Sequence, residues 1–229
     1  MIILHDYFRS SSSYRVRIAL HFKNLDFEIR HVDLVKGEQR DNAYKTLNPS
    51  AGVPTLIDGD FKLTQSPAIL EYLEEEYPRN PLMPTEKHAR AYVRQMAMVV
   101  ACDIHPMNNL KVWKGYIGNI LGADGAQQMQ WYMHWIHEGF AAYESLLKSE
   151  NAAGEFTFGN APSLADLHLI PQLYNARRFK ADLSAYPKIC EIERNCLALD
   201  AFQKATPESH PNAPDGLEII HGNSTTLMQ

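Results

Sequence analysis

Residues 1–22, MIILHDYFRSSSSYRVRIALHF, switch periodicity inside a single stretch. MIILH (1–5) is a run of strand length, apolar enough to be buried on both faces of a sheet. From Ser12 the apolar positions Val16, Ile18, Ala19 and Phe22 take helical spacing, with a serine available as the N-cap. Working outward, DFEIRHVDL (26–34) alternates apolar and polar residues as a second strand, and a weaker helix follows from about Gln39 to Leu47. VPTLIDGDFKL (53–63) reads as two strands joined by the turn dipeptide Asp58-Gly59. Ser66 caps a further helix, with Pro67 at its first position, where a missing N–H costs nothing. The order β-α-β-α-β-β-α predicts an α/β domain over 1–78 with parallel and hairpin-connected strands in one sheet.

YPRNPLMP (77–84) holds three prolines and no periodicity, so a linker is expected over 79–86. Beyond it the strand pattern vanishes. Helical spacing runs through 86–112, about 123–149, 163–179 and 187–199, which predicts an all-α second domain over 87–206. Ser163-Leu-Ala-Asp166 fits a capping box with Asp in the usual Glu role. The polar, Pro-containing stretch 207–229 reads as a loose tail.

The chain has 229 residues and a net charge of −5, from 22 Lys plus Arg against 27 Asp plus Glu. That balance argues against nucleic-acid binding driven by overall positive charge, though a local basic pocket stays open. No apolar run approaches the roughly 18 residues a membrane span needs. The first residues place an apolar run ahead of the arginines, the reverse of a secretory signal. Three unevenly spaced cysteines (Cys102, Cys190, Cys196) supply neither a disulfide framework nor a four-cysteine metal site, so no metal is expected. A reducing, cytoplasmic setting is the expectation.

Three places carry candidate chemistry. FRSSSSYRVR (8–17) puts four hydroxyls at a helix start, where the first N–H groups lack intrahelical partners and the dipole favours an anion. The bland reading is that serines cap helices and fill turns. Val53-Pro54-Thr55 opens a strand. A cis proline there would turn the Val53 N–H and C=O outward to pair with an extended peptide, although a trans proline is the commoner case. Gln65-Ser66 places an amide and a hydroxyl at another helix N-terminus, a carboxylate-binding cluster or simply a cap.

FRSSSSYRVRIAL, LNPSAGVPTL and QSPAILEYLEE, followed by an all-α domain, resemble a glutathione transferase with a thioredoxin-like first domain. The signature Ser-Ser-Cys-x-x-Arg-Val-Arg-Ile-Ala-Leu of the zeta class is similar to residues 10–20, with Ser12 in place of the cysteine. DIHPMNNLKV (103–112) and SLADLHLIPQLYNARRF (163–179) resemble bacterial maleylacetoacetate isomerases, and the likeness covers residues 1 to about 205. The resemblance implies that Ser10 hydrogen-bonds the glutathione sulfur, assisted by Ser11 and the start of the first helix around Ser12. Donors aimed at sulfur and a helix N-terminus both lower a thiol pKa. It further implies that Val53 pairs with the cysteinyl unit across a cis Pro54. Gln65 and Ser66 would hold the γ-glutamyl carboxylate, and Gln39 would reach the glycyl end. His105 and Asn109 would contact glutathione or line the pocket. Isomerisation by glutathione needs no protein thiol, so serine at position 12 leaves that activity in place.

The resemblance also places Arg9 and Arg178 at a substrate pocket, joined by Lys111. Read alone, any one of these cations is an ordinary solvated side chain, and Arg15 and Arg17 read as structural or surface residues. Cations converging on one cleft select a small dicarboxylate. The implied reaction is cis–trans isomerisation of maleylacetoacetate to fumarylacetoacetate, a step of tyrosine and phenylalanine breakdown, by a homodimer with glutathione as cofactor. Alternatives are a maleylpyruvate isomerase, a general detoxifying transferase with a broad apolar pocket, or a non-catalytic stress regulator that binds RNA polymerase.

Overall fold

The computed structural model of the protein describes residues 1–150 and 152–220. The chain divides into two compact units, Met1–Leu82 with the described part of Leu197–Gln229, and Met83–Cys196.

The first unit is built on a four-stranded sheet in the order β2-β1-β3-β4. Strand β1 (Ile2–Asp6) pairs in parallel with β2 (Phe27–His31) and antiparallel with β3 (Thr55–Asp58). The hairpin from β3 to β4 (Phe61–Thr64) turns through Gly59 at φ +58°, a conformation glycine adopts without a Cβ penalty. The parallel pair is joined by α1 (Ser11–Phe22), as a parallel connection requires. A short 3₁₀ turn (Glu38–Arg40) and α2 (Asn42–Leu47) occupy the place of the single expected helix from Gln39. Helix α3 (Ser66–Glu76) packs against α1. Its N-cap is Gln65 rather than Ser66, so Ser66 and Pro67 are the first two helical residues.

Burial on β1 alternates. Ile2, Leu4 and Asp6 are buried while Ile3 and His5 are partly exposed, so the expectation of two fully covered faces is corrected to one. The core beneath them is Tyr14, Val16, Ile18, Leu20, Leu56, Ile69, Leu70 and Leu73. The proline-rich stretch after α3 is held by a buried charge pair and its hydrogen bonds. The Lys23 ammonium pairs with Glu74 at 2.8 Å and donates to the carbonyls of Tyr77 and Asn80, and Leu82 N–H donates to Glu74.

In the second unit α4 (Lys87–Met98) continues into a π-helical segment, Val99–Ile104. A turn follows, then a second π-helical segment, Lys111–Ile120, so the expected helix over 86–112 is interrupted and the element after it was not anticipated. Helix α5 (Gly125–Ser149) starts at a capping box formed by Asp124 and Gln127. Helix α6 (Leu164–Arg178) is buried on almost every side, and α7 is Pro187–Leu197. The capping box at its start is present: Asp166 accepts from the Ser163 N–H at 2.7 Å, the Ser163 hydroxyl at 2.9 Å and the Thr157 N–H at 2.9 Å.

The last described elements belong to the first unit. Helix α8 (Asp200–Lys204) packs against α1, and Arg17 Nε donates to the Ala205 carbonyl at 2.9 Å. Within the expected tail, His210 is buried against Asp6 and Ile219 is exposed. Residues 221–229 lie outside the described residues.

Candidate active site

Asp6 ends β1, and Tyr7–Ser10 carry the chain into α1. Ser10 is the N-cap: its hydroxyl oxygen accepts from the Ser13 N–H at 3.2 Å, and its own N–H donates to the Tyr7 carbonyl at 2.9 Å. Accepting that bond leaves the hydroxyl proton available to donate, since a serine offers one donor and two acceptor lone pairs. Capping and a functional role are therefore compatible in one side chain. Ser11 is buried and Ser12 half-buried on the first turn. Ser13, which sequence reasoning did not single out, is fully buried, and its Oγ has no hydrogen-bond partner among the described residues.

The Val53–Pro54 peptide is cis. Tyr44 and Asn48 bind the Gly52 carbonyl at 2.8 and 2.7 Å, which fixes the approach to it. Half-buried Val53 makes no backbone hydrogen bond among the described residues, which leaves its N–H and C=O available to pair with a peptide. Gln65 is exposed and sits at φ +70°, in the left-handed region a side chain seldom occupies. Such backbone strain clusters at ligand-binding positions. Ser66 is buried beside it and accepts from Arg15 Nη1 at 3.3 Å, which ties the starts of α1 and α3 together. Arg15 and Arg17 are thus structural, both almost wholly buried, which answers the sequence reading of these two. Gln39 is half-buried on the 3₁₀ turn, with its amide oxygen buried and without a partner among the described residues. Arg9 is half-buried, its guanidinium 5.0 Å from the Phe8 ring centroid and its Nε buried without a partner among the described residues.

The remaining candidates lie in the second unit. His105 follows the first π-helical segment, and its N–H donates to the Val100 carbonyl at 2.9 Å. Asn109 lies two residues before the second one: its side-chain oxygen accepts from the Lys111 N–H at 3.0 Å, and its carbonyl accepts from Val112 and Trp113. Lys111 is exposed. Arg178 ends α6 with its guanidinium 4.3 Å from the Phe179 ring centroid. Phe179 in turn meets Trp113 at 5.7 Å and Tyr132 at 4.6 Å between centroids, so an aromatic cluster joins the Lys111 segment to the Arg178 helix end. Burial raises the Tyr132 phenol pKa well above its ordinary value, and the Arg178 charge opposes that rise. The neighbouring Arg177 is occupied elsewhere, paired with buried Glu193 at 2.8 and 2.9 Å. These aromatics were missed in the sequence because each is one more apolar residue at helical spacing.

No group of three or more His, Cys, Asp or Glu capable of holding a metal occurs among the described residues, and the three cysteines form no disulfide. No described helix is long and apolar enough to cross a membrane.

Comparison with known proteins places this arrangement. Residues 1–75 match the family described as glutathione S-transferase, N-terminal domain. The chain is 44% identical over 210 residues to a maleylpyruvate isomerase of Ralstonia, covering 92% of this chain and 99% of that one. It is 44% identical over 217 residues to the maleylacetoacetate isomerase of Pseudomonas aeruginosa, covering 92% and 98%. The crystal structure of a maleylacetoacetate isomerase from Methylobacterium extorquens, with bound malonate and glutathione, superposes with a TM-score of 0.90 at 38% identity, covering 93% and 99%. A chain with this sheet, this serine-capped helix and these relatives belongs to the zeta-class glutathione transferases, the family of the maleylacetoacetate and maleylpyruvate isomerases.

Proposed function

We propose that the protein is a glutathione-dependent cis–trans isomerase that converts maleylacetoacetate to fumarylacetoacetate in tyrosine and phenylalanine catabolism. The observation that carries this reading is the serine-capped α1 together with a Val53 backbone that makes no hydrogen bond among the described residues, in a chain 44% identical to isomerases of this type.

The residues of the first unit fit a thiol tripeptide. Val53 offers an N–H and a C=O to an extended backbone, and Gln65 and Ser66 stand at a helix N-terminus suited to a carboxylate. The amide oxygen of Gln39, buried and without a partner among the described residues, suits the glycyl N–H near the other end of such a peptide. When bound, glutathione supplies a thiolate that adds reversibly to the substrate's cis double bond, permits rotation about the resulting single bond, and departs unchanged. With glutathione bound, the Ser10 hydroxyl would donate a hydrogen bond to the sulfur, and Ser11, Ser12 and the α1 dipole would favour negative charge there, lowering the thiol pKa toward neutrality. The N-terminus of α1 also opposes charge built up during addition. Arg9, Lys111 and Arg178 would each offer positive charge to a carboxylate of a small dicarboxylate, with His105 and Asn109 as further candidate contacts. The malonate in the Methylobacterium structure is a dicarboxylate of that kind.

Maleylpyruvate is the second candidate substrate, supported by the 44% identity to the Ralstonia enzyme. Purified protein retained on immobilised glutathione and assayed spectrophotometrically with each compound separates the two. Higher kcat/KM with maleylacetoacetate is expected. Higher kcat/KM with maleylpyruvate reassigns the substrate, and binding without turnover of either overturns the reading. A homodimer in a reducing cytoplasm completes the proposal, checked by light scattering and by fractionation.

A further inference from the structure

The loop that delivers Ser10 is anchored from the far end of the chain. Asp6 and Arg17 are both buried, 0% and 1% exposed. Arg17 Nη1 contacts both Asp6 oxygens at 2.9 and 2.8 Å, Nη2 donates to the Phe8 carbonyl at 3.0 Å, and Nε donates to the Ala205 carbonyl at 2.9 Å. One guanidinium thus fastens the strand end, the loop before Ser10 and the segment after α8.

His210 adds a further contact to the same carboxylate, at the Oδ2 that Arg17 also meets. Its Nε2 lies 3.2 Å from Asp6 Oδ2, and its Nδ1 faces the Asn212 N–H at 3.0 Å. An N–H can only donate, so Nδ1 keeps its lone pair and the ring proton sits on Nε2, which donates to Asp6. The pairing of Asp6 with Arg17 uses a single guanidinium nitrogen instead of the two parallel bonds such pairs favour. That leaves Nη2 for Phe8. His210 holds Oδ2 where it is. Without it, the carboxylate can swing to span Nη1 and Nη2, and Nη2 is drawn off the Phe8 carbonyl two residues before Ser10.

We propose that His210 is a positioning residue for Ser10, acting through Asp6, Arg17 and the Phe8 carbonyl. This rests on the reading of Ser10 as the hydrogen-bond donor to the glutathione thiolate. Displacement of a reacting group by about 1 Å costs up to about a hundredfold in rate. His210→Ala is therefore expected to lower kcat about tenfold and to raise the pKa of bound glutathione, read from thiolate ultraviolet absorbance. KM for the dicarboxylate should change less than kcat, because of its three proposed cations only Arg9 shares the displaced loop, while Lys111 and Arg178 belong to the second unit. His210→Gln, whose amide nitrogen reaches the place of Nε2, should recover most of the loss.

A parent protein that binds glutathione without lowering its thiol pKa overturns the assignment of Ser10, and this proposal with it. A parent that does lower it, beside a folded His210→Ala variant with unaltered kcat and thiol pKa, overturns the positioning role alone. Should the alanine variant not fold, the glutamine variant and the parent's nitrogen-15 spectrum decide. Loss of function in the glutamine variant equal to that expected of alanine, or a His210 ring protonated on Nδ1, contradicts the proposal.

Discussion

Arg15 on the first helix donates from Nη1 to the Ser66 hydroxyl at the start of the third, 3.3 Å away, with both side chains buried. A charged donor in the interior thus joins the two helix starts on which the proposed glutathione contacts stand. Removing its acceptor by Ser66→Ala is expected to cost about 1–3 kcal/mol of stability, the penalty for a buried charged group losing a hydrogen bond. Glutathione affinity should fall as well. Denaturant unfolding and calorimetric titration check the two effects separately.

Ser10 carries a cap and a proposed catalytic proton in one hydroxyl. Ser10→Ala should destabilise the protein by about 1 kcal/mol through the lost cap. It should also raise the pKa of bound glutathione by about 1 unit or more. An unaltered thiol pKa in a folded variant removes Ser10 from its role.

Asp6 makes the acid limb of stability predictable. Burial alone would raise its pKa, but the Arg17 charge and the His210 bond outweigh burial and hold the carboxyl at about 2. Because the folded value lies below the unfolded one, the stabilisation is fully present above about pH 4 and is lost as pH falls toward about 2. The contribution is about 2 kcal/mol. Urea unfolding at a series of pH values should show this loss in the parent. Asp6→Asn should lack that limb while being about 3–5 kcal/mol less stable near neutrality, where it leaves Arg17 buried without a counter-charge.

Gly139 on α5 lies against the π-helical segment that precedes His105. A Cβ there would come within 2.2 Å of Ile104 Cγ1, a fully buried side chain. Gly139→Ala is expected to destabilise by about 1–3 kcal/mol through overpacking, outweighing the gain in helix propensity of under about 1 kcal/mol. Thermal unfolding measures it.

What the sequence made legible was local. The strand–helix alternation, the Asp58-Gly59 hairpin and the Ser163–Asp166 box depend on residues a few positions apart, and each is present in the structure. The cis Val53–Pro54 peptide is also there, as the family resemblance implied. Arg15 and Arg17 show what was not legible. Their interior places depend on Ser66, Ala205 and Asp6, and the Asp6–His210 bond closes over 204 positions of chain. No periodicity encodes such a partner, so the contact of Asp6 with His210 has no signature in the sequence. The break after Ile104 was missed for a related reason: π-helical turns carry the same apolar residues as α-helix, and only their packing sets the register.

The central claim is that glutathione acts as a recycled cofactor on a cis dicarboxylate. The most direct measurement follows maleylacetoacetate with the protein and glutathione at a small fraction of the substrate concentration, and quantifies product and glutathione together. Many equivalents of the trans isomer per glutathione are expected, with all glutathione recovered. One glutathione consumed for each substrate lost, or no isomerisation at all, would contradict it.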